Sequence, residues 1–142
     1  LQAAVYTELQ IGSYIFMDVQ YQAVELIKEN ENSFLPSLFV MSSVVSTHPL
    51  FAIVDAGLKS FATDGPKPVL LSKTCSRCSY QFMGDEHGKL TFSEKNHSLS
   101  LGHVLEFIVP HCDPTVNLYD FYHCVRGDTL VDIWSVDARG LH

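Results

Sequence analysis

The sequence predicts an all-β fold, mainly antiparallel, whose strands form a barrel or a sandwich with one or two short helices. Hydrophobic residues occupy 46% and aromatic residues 11% of the 142 positions, a composition that favours the packed surfaces of strands. Turn signals recur at intervals of about ten residues, which is typical of antiparallel sheets. The pattern lacks the long helical crossovers that a parallel sheet requires.

Short apolar runs bounded by turn-forming residues define the predicted strands. In chain order they are Ser13–Asp18, Leu38–Thr47, Leu50–Asp55, Pro68–Leu71, Tyr80–Met83, Lys89–Phe92, Val104–Val109, Tyr122–Arg126 and Thr129–Ser135. The last two are predicted to form a hairpin around Gly127 and Asp128. The one helical candidate of any length is Gln20–Asn30, which has a weak apolar face.

The length predicts a single domain over residues 1–142, with a core large enough to need no disulfides. Trp134, together with Ile133 and Val136, is predicted to lie in that core. Four unevenly spaced cysteines favour reduced thiols and therefore a cytoplasmic protein. The chain begins without Met and without a signal peptide, which predicts that it was cut from a longer protein.

Charge and hydropathy exclude two classes of partner. Sixteen acidic residues against nine basic ones give a net charge of -7, and the basic residues are scattered, so nucleic acid is not expected to bind. The longest uncharged apolar stretch, Phe34–Thr47, contains Pro36 and is too short to cross a bilayer. No membrane association is expected.

His111 and Asp113 form the first candidate site. They follow the apolar strand Val104–Val109 and Pro110, which cannot extend a hydrogen-bonded ladder and therefore ends it. Alternate side chains of an extended segment share a face, so His111 and Asp113 should point to one side and Cys112 to the other. An imidazole and a carboxylate suit Mn, Mg or Zn and leave coordination positions for water or substrate.

The spacing alone favours another interpretation of the same segment. Asp113 before Pro114 is typical of a helix N-cap followed by Pro in the first turn, with the turn running over Thr115–Tyr119. A fixed turn at Asp113 would also hold its carboxylate in place, so the cap and the metal site are compatible.

Three further groups could carry chemistry. Glu86 and His87 could form an acid–base pair near a pocket, or simply a polar turn. Asp55 and Lys59, around Ala56-Gly57, could both face a ligand, or form a surface turn with a local ion pair. The pair Cys75 and Cys78 could bind zinc or act in redox chemistry, but no second pair with ligand spacing exists, which favours a structural role.

Four segments, in this order, resemble the C-terminal domain of the D-threonine aldolase and D-serine dehydratase family: Asp55–Lys59, Glu86–Gly88, Pro110–Asp120 and Val131–Gly140. The opening Thr7–Asp18 resembles the segment in which the family's catalytic barrel passes into its β domain. The resemblance therefore covers essentially the whole chain, and the eleven-residue segment around His111 is its most specific part.

The resemblance implies a fold-type III pyridoxal-phosphate enzyme, similar to alanine racemase, with an N-terminal (β/α)8 barrel and a C-terminal β domain. The barrel carries the cofactor lysine, so no lysine of this chain, Lys59 included, is assigned that role. The expected reaction is retro-aldol cleavage of a D-3-hydroxy amino acid to glycine and an aldehyde, with a divalent metal binding the 3-hydroxyl. A homodimer is also implied.

The resemblance further implies that His111 and the residue two positions later bind the metal. Aldolase-like members resemble this chain in having Asp at that second position, whereas dehydratase-like members have Cys, so Asp113 favours the aldolase branch. Glu86 and His87 become candidates for the pocket wall, and Arg139 and Lys59 for contacts to substrate or cofactor. The alternatives are a zinc-dependent D-serine dehydratase releasing pyruvate and ammonia, a stand-alone β interaction domain, and a small zinc protein that uses the paired cysteines.

Overall fold

Eight strands and two short α-helices make up the regular structure in residues 7–8, 10–24, 34–71, 78–93 and 97–141, which the computed structural model describes. The strands are β1 (Phe39–His48), β2 (Phe51–Val54), β3 (Val69–Leu70), β4 (Cys78–Phe82), β5 (Gly88–Phe92), β6 (Val104–Ile108), β7 (Phe121–Arg126) and β8 (Thr129–Ser135). The helices are α1 (Val19–Gln22) and α2 (Cys112–Val116), and a 3-10 turn covers Ser13–Ile15.

Six strands form one antiparallel sheet in the order β3-β6-β1-β2-β5-β4, and its edge strands β3 and β4 approach each other, so the sheet is a nearly closed barrel. The last two strands pair separately as a hairpin. The predicted all-β, mainly antiparallel class is therefore confirmed, as are eight of the nine predicted strands, with ends shifted by at most two residues.

The inside of the barrel is filled because successive strand residues alternate between the two faces of the sheet. Along β5 the burial alternates, so that Leu90 and Phe92 point inward. Three rings meet edge to face at the centre: Phe61, Tyr80 and Phe107, with centroids 5.7–6.0 Å apart. Such T-shaped contacts are the preferred geometry of packed aromatic side chains.

The predicted strand Ser13–Asp18 is wrong. The chain there forms the 3-10 turn and reverses at Met17, which has a positive φ of 52°. Asp18 then caps α1, since its side chain accepts a hydrogen bond from the Tyr21 backbone N–H. Side-chain bonding of this kind replaces the ladder bonds that a strand would make. Of the predicted helix Gln20–Asn30, residues 20–22 are helical and belong to α1, and 25–30 lie outside the described residues.

The assignment of Trp134 and Ile133 to the core is also wrong. Every residue of β8 is exposed, and Trp134 is 58% and Ile133 52% exposed, while Val136 is half-buried. The hairpin lies beside the barrel instead of closing it, and of its strand residues only Tyr122 and Cys124 in β7 are half-buried. In the part of the chain that is described, no helix is long and apolar enough to span a membrane.

Candidate metal centre

The segment that carries His111 is fixed by hydrogen bonds to the start of the domain. After β6, the carbonyls of Val109 and Pro110 accept hydrogen bonds from the N–H groups of Val19 and Gln20, at 3.0 and 3.2 Å. Since Pro110 has no N–H and ends the ladder, these carbonyls are free to take partners outside the sheet. The strand end is thereby tied to α1.

A buried carboxylate completes this connection. Asp18 is fully buried, and its two oxygens accept hydrogen bonds from the backbone N–H groups of Tyr21 (2.7 Å) and Cys112 (2.8 Å). These are N–H groups in the first turns of α1 and α2, which have no partner within their own helices. One side chain therefore caps both helices.

The predicted N-cap at Asp113 is wrong, because α2 begins at Cys112, two residues earlier than predicted. The cap position is His111, whose side chain makes no capping hydrogen bond, and the remote Asp18 replaces it. Asp113 and Pro114 both lie in the first turn of α2. A negative side chain is favoured there by the helix dipole, and Pro is tolerated there because it needs no hydrogen-bond partner.

His111 and Asp113 point to the same side of this turn. Nε2 of His111 lies 3.4 Å from Oδ2 of Asp113, and the two side chains are 24% and 69% exposed. Cys112 between them is buried, and its thiol donates to the carbonyl of Met17 at 3.4 Å. Burial raises the pKa of the Cys112 thiol, and the neighbouring Asp18 carboxylate raises it further. Cys112 is thus a neutral core thiol that faces away from the site.

Each of the two side chains also contacts a polar residue from a distant segment of the chain. Nδ1 of His111 lies 3.0 Å from Oδ2 of Asp64, and Ser13 donates through its hydroxyl to Oδ2 of Asp113 at 2.8 Å. The sequence did not point to Asp64, Ser13 or Asp18 as parts of this centre. Asp64 and Ser13 lie 47 and 100 positions from their partners, and no local pattern signals such pairs.

The donor set fits a divalent metal ion. Two atoms 3.4 Å apart can both lie about 2.1 Å from one ion, the usual length of a bond from nitrogen or oxygen to a small divalent cation. The exposure of Asp113 leaves space for further ligands. Among the described residues, no group of three or more His, Cys, Asp or Glu side chains is arranged to hold a metal, so the remaining ligands would come from water, substrate or another part of the protein.

The segments Asp55–Lys59 and Glu86–Gly88 are brought together with each other. Lys59 forms an ion pair with Glu86, which raises the pKa of Lys59 and lowers that of Glu86. The N–H groups of Leu58 and Lys59 donate to the carbonyls of Gly84 and Asp85 at 3.1 and 3.0 Å. Within the described ranges, no hydrogen bond or ion pair joins Glu86 or His87 to His111 or Asp113.

Gly57 explains why these two segments fit so closely. A Cβ at this position would lie 2.4 Å from the backbone N of His87 and 2.5 Å from the carbonyl oxygen of Asp85. Only glycine permits such an approach between two backbones. Asp55, at the start of the same segment, accepts hydrogen bonds from the Ser42 hydroxyl and the Ser43 N–H, both at 2.7 Å.

Arg139 pairs with Asp120 at 2.8 Å, and the N–H of Gly140 donates to the side chain of Asn117. These contacts hold the end of the described chain beside the loop that follows α2.

Of the paired cysteines, Cys75 lies outside the described residues, so the structure does not test a site formed by Cys75 and Cys78. An open groove of about 610 Å³ lies between the barrel and the hairpin; Thr115 and Val116 of α2 line it, but His111 and Asp113 do not.

Comparison with known proteins gives consistent matches. Residues 37–125 match the family described as the putative serine dehydratase domain. The chain is 40% identical over 139 residues to the D-threonine aldolase of an Arthrobacter species and 35% identical over 142 residues to the 3-hydroxy-D-aspartate aldolase of Paracoccus denitrificans. Each match covers 97% of this chain and 36% of the relative, so the chain spans little more than a third of their length.

Solved structures agree. The D-threonine aldolase of Filomicrobium marinum matches with a TM-score of 0.86 and 37% identity, over 96% of this chain and 37% of that one. A metal-free mutant of D-threo-3-hydroxyaspartate dehydratase shares the fold, with a TM-score of 0.67 at 19% identity over 87% of this chain and 37% of that one. The resemblance drawn from the sequence is confirmed, and this chain belongs to the putative serine dehydratase domain family, together with D-threonine aldolase and 3-hydroxy-D-aspartate aldolase relatives.

Proposed function

We propose that this chain is the metal-binding C-terminal domain of a pyridoxal-phosphate-dependent lyase that cleaves D-3-hydroxy amino acids in the manner of a D-threonine aldolase. The observation that carries the proposal is the pair formed by His111 and Asp113, with Nε2 and Oδ2 3.4 Å apart on an accessible turn. This pair offers one neutral nitrogen and one anionic oxygen, a set that suits Mn, Mg or Zn.

The aldolase branch is supported over the dehydratase branch by the identity of the second ligand. Asp113 supplies a hard oxygen donor, whereas Cys112 is held as a neutral thiol in the core and cannot take its place without unfolding the start of α2. The relatives that share 35–40% identity with the chain carry the name aldolase. A zinc-dependent dehydratase is the alternative outcome of the assay below.

The domain's own residues hold and orient the ligands. When bound, the metal would act as a Lewis acid towards the substrate's 3-hydroxyl, and pyridoxal phosphate on the missing N-terminal barrel would take up the negative charge left at the α carbon. His111 and Asp113 would hold that metal, and Asp18 fixes the turn on which both stand. The rigidity of this turn matters because catalytic groups must be held close to the productive geometry.

Four other candidates have less defined roles. Glu86 and His87 stand as candidates for the pocket wall, and Lys59 and Arg139 for contacts to substrate or cofactor. Lys59 and Arg139 are already paired with Glu86 and Asp120, so contact with a ligand would require exchange of these partners. We further propose a cytoplasmic homodimer, in which a barrel completes the site from the same or the partner subunit.

The test is an assay of the complete protein with D-threonine and D-serine in the presence of Mn²⁺. Glycine and acetaldehyde from D-threonine are expected, and the variants His111→Ala and Asp113→Ala should lose bound metal and activity together. His103→Ala is the matched control, since His103 is an exposed histidine outside the centre and should keep both. Pyruvate and ammonia from D-serine would assign the dehydratase branch, and metal retained by both variants would overturn the proposed site.

A further inference from the structure

We propose that Asp64 is a positioning residue for His111, and that its carboxylate accepts the Nδ1–H of the imidazole so that the lone pair of Nε2 stays directed towards Asp113. The consequence for metal affinity rests on the proposed function. The tautomer of the imidazole does not rest on the proposed function, and it can be measured without metal.

The loop that carries Asp64 is hydrogen-bonded to α2. These bonds fix the backbone from which the Asp64 side chain reaches His111. Phe61, three residues earlier, is 1% exposed at the centre of the core. The N–H of Ala62 donates to the hydroxyl of Thr115 at 3.0 Å, and that hydroxyl donates to the carbonyl of His111 at 2.7 Å. Thr115 is itself buried, so it joins the two backbones from inside the protein.

The distances around the ring determine where its proton lies. A neutral imidazole has one N–H, and a carboxylate oxygen can only accept. Nδ1 lies 3.0 Å from Oδ2 of Asp64, within the usual range for a hydrogen bond, whereas Nε2 lies 3.4 Å from Oδ2 of Asp113, beyond that range. The latter oxygen already accepts the Ser13 hydroxyl at 2.8 Å. The proton therefore belongs on Nδ1, and Nε2 keeps its lone pair.

This arrangement is chemically useful because a histidine binds a metal only through an unprotonated nitrogen. A carboxylate on the other ring nitrogen fixes the tautomer, holds the plane of the ring and makes the ligand nitrogen more basic; loss of such a partner typically weakens metal binding about 10–100-fold. Asp64 thus holds His111 and Ser13 holds Asp113, but only Asp64 determines the tautomer of the imidazole.

The experiment uses the complete protein, freed of metal and labelled with ¹⁵N at histidine. Two-bond ¹⁵N–¹H correlation spectra, recorded at about pH 8.5 where an imidazole is neutral, identify the tautomer of His111, whose signals are those lost in His111→Asn. Binding of Mn²⁺ is measured in parallel from the electron paramagnetic resonance signal of the free ion.

The wild type should show the Nδ1–H tautomer. Asp64→Ala should lose it and bind Mn²⁺ about 10–100-fold more weakly, whereas Ser13→Ala should weaken binding and keep the tautomer. An Nε2–H tautomer in the wild type, or an unchanged tautomer in Asp64→Ala, overturns the proposal. The wild-type spectrum decides the question even if a variant fails to fold. An Nδ1–H tautomer in a wild type that binds no Mn²⁺ would refute the metal site and leave the role of Asp64 intact.

Discussion

Oδ2 of Asp18 accepts a 2.8 Å hydrogen bond from the backbone N–H of Cys112, a residue 94 positions further along the chain. The other carboxylate oxygen caps α1. The beginning and the later part of the domain are therefore joined at the turn that presents the candidate metal ligands, and the buried Asp18 side chain supplies hydrogen bonds to both.

Replacing Asp18 should lower the stability of the domain. Asp18→Ala leaves the N–H groups of Tyr21 and Cys112 without partners, and we expect the free energy of unfolding to fall by about 2–4 kcal/mol. Asp18→Asn retains one acceptor oxygen and should lose roughly half as much. Urea denaturation measures both, and a loss below about 0.5 kcal/mol in Asp18→Ala would show that the cap is dispensable.

Gly57→Ala should be strongly destabilising, because the added Cβ would overlap the backbone of His87 and Asp85 and the two segments would have to separate. A loss of more than about 2 kcal/mol is expected from overpacking of this kind. Gly65→Ala is the matched control, since among the described residues its Cβ meets only the side chain of Gln20, at 3.4 Å. Equal melting temperatures of the two variants would contradict the close approach described here.

Alkaline pH should destabilise the domain. Burial raises the pKa of Tyr80 above its ordinary value of 10.0, and that of Cys112 above 9.0, so the unfolded chain loses these protons before the folded one does. Their contribution to stability is complete below about pH 9 and falls as the pH rises beyond it, since the folded state then binds more protons than the unfolded state.

Tyr80→Phe tests the contribution of Tyr80 to this effect. The Tyr80 hydroxyl donates to the carbonyl of Ala56 at 2.5 Å, so the variant should lose about 1–3 kcal/mol at pH 7 through the unsatisfied carbonyl. It should also lose less additional stability than the wild type between pH 8 and pH 11, measured by urea denaturation at each pH. Parallel pH profiles for the two proteins would exclude Tyr80 as the source.

Arg139→Gln separates a structural role from contact with substrate. Because Arg139 is paired with Asp120 at an exposed position, the change should alter the free energy of unfolding by less than about 1 kcal/mol and leave the KM for D-threonine unchanged. Asp120→Asn should behave in the same way. A tenfold rise in KM for Arg139→Gln alone would assign the guanidinium to the substrate.

The strands were predictable because each is a short apolar run between turn-forming residues. In β5 the alternation of burial also appears directly in the sequence, since Lys89 and Thr91 alternate with the buried Leu90 and Phe92. Ser13–Asp18 contains a similar run of apolar residues but does not form a strand. Its backbone is set by the reversal at Met17 and by the side chain of Asp18, and neither effect has a periodic signature.

The candidate site was predictable only in part for a related reason. His111 and Asp113 are two residues apart, so their shared direction follows from local geometry. Asp64, Ser13 and Asp18 reach the same turn from distant segments. The prediction that Trp134 lies in the core failed for another reason. A large apolar side chain indicates that burial is favourable, but whether the barrel offers a surface to cover it depends on the tertiary arrangement.

The exposed hairpin gives this domain a built-in optical reporter. Trp134 is the chain's single tryptophan, and its indole stands 58% exposed on β8. Under excitation that tryptophan absorbs and the six tyrosines do not, the fluorescence of the domain therefore originates at one known point on its surface, and its emission is that of a water-exposed indole. Any protein surface that covers the hairpin would shift that emission to the blue, so the assembly of this domain with its partners can be followed without labels.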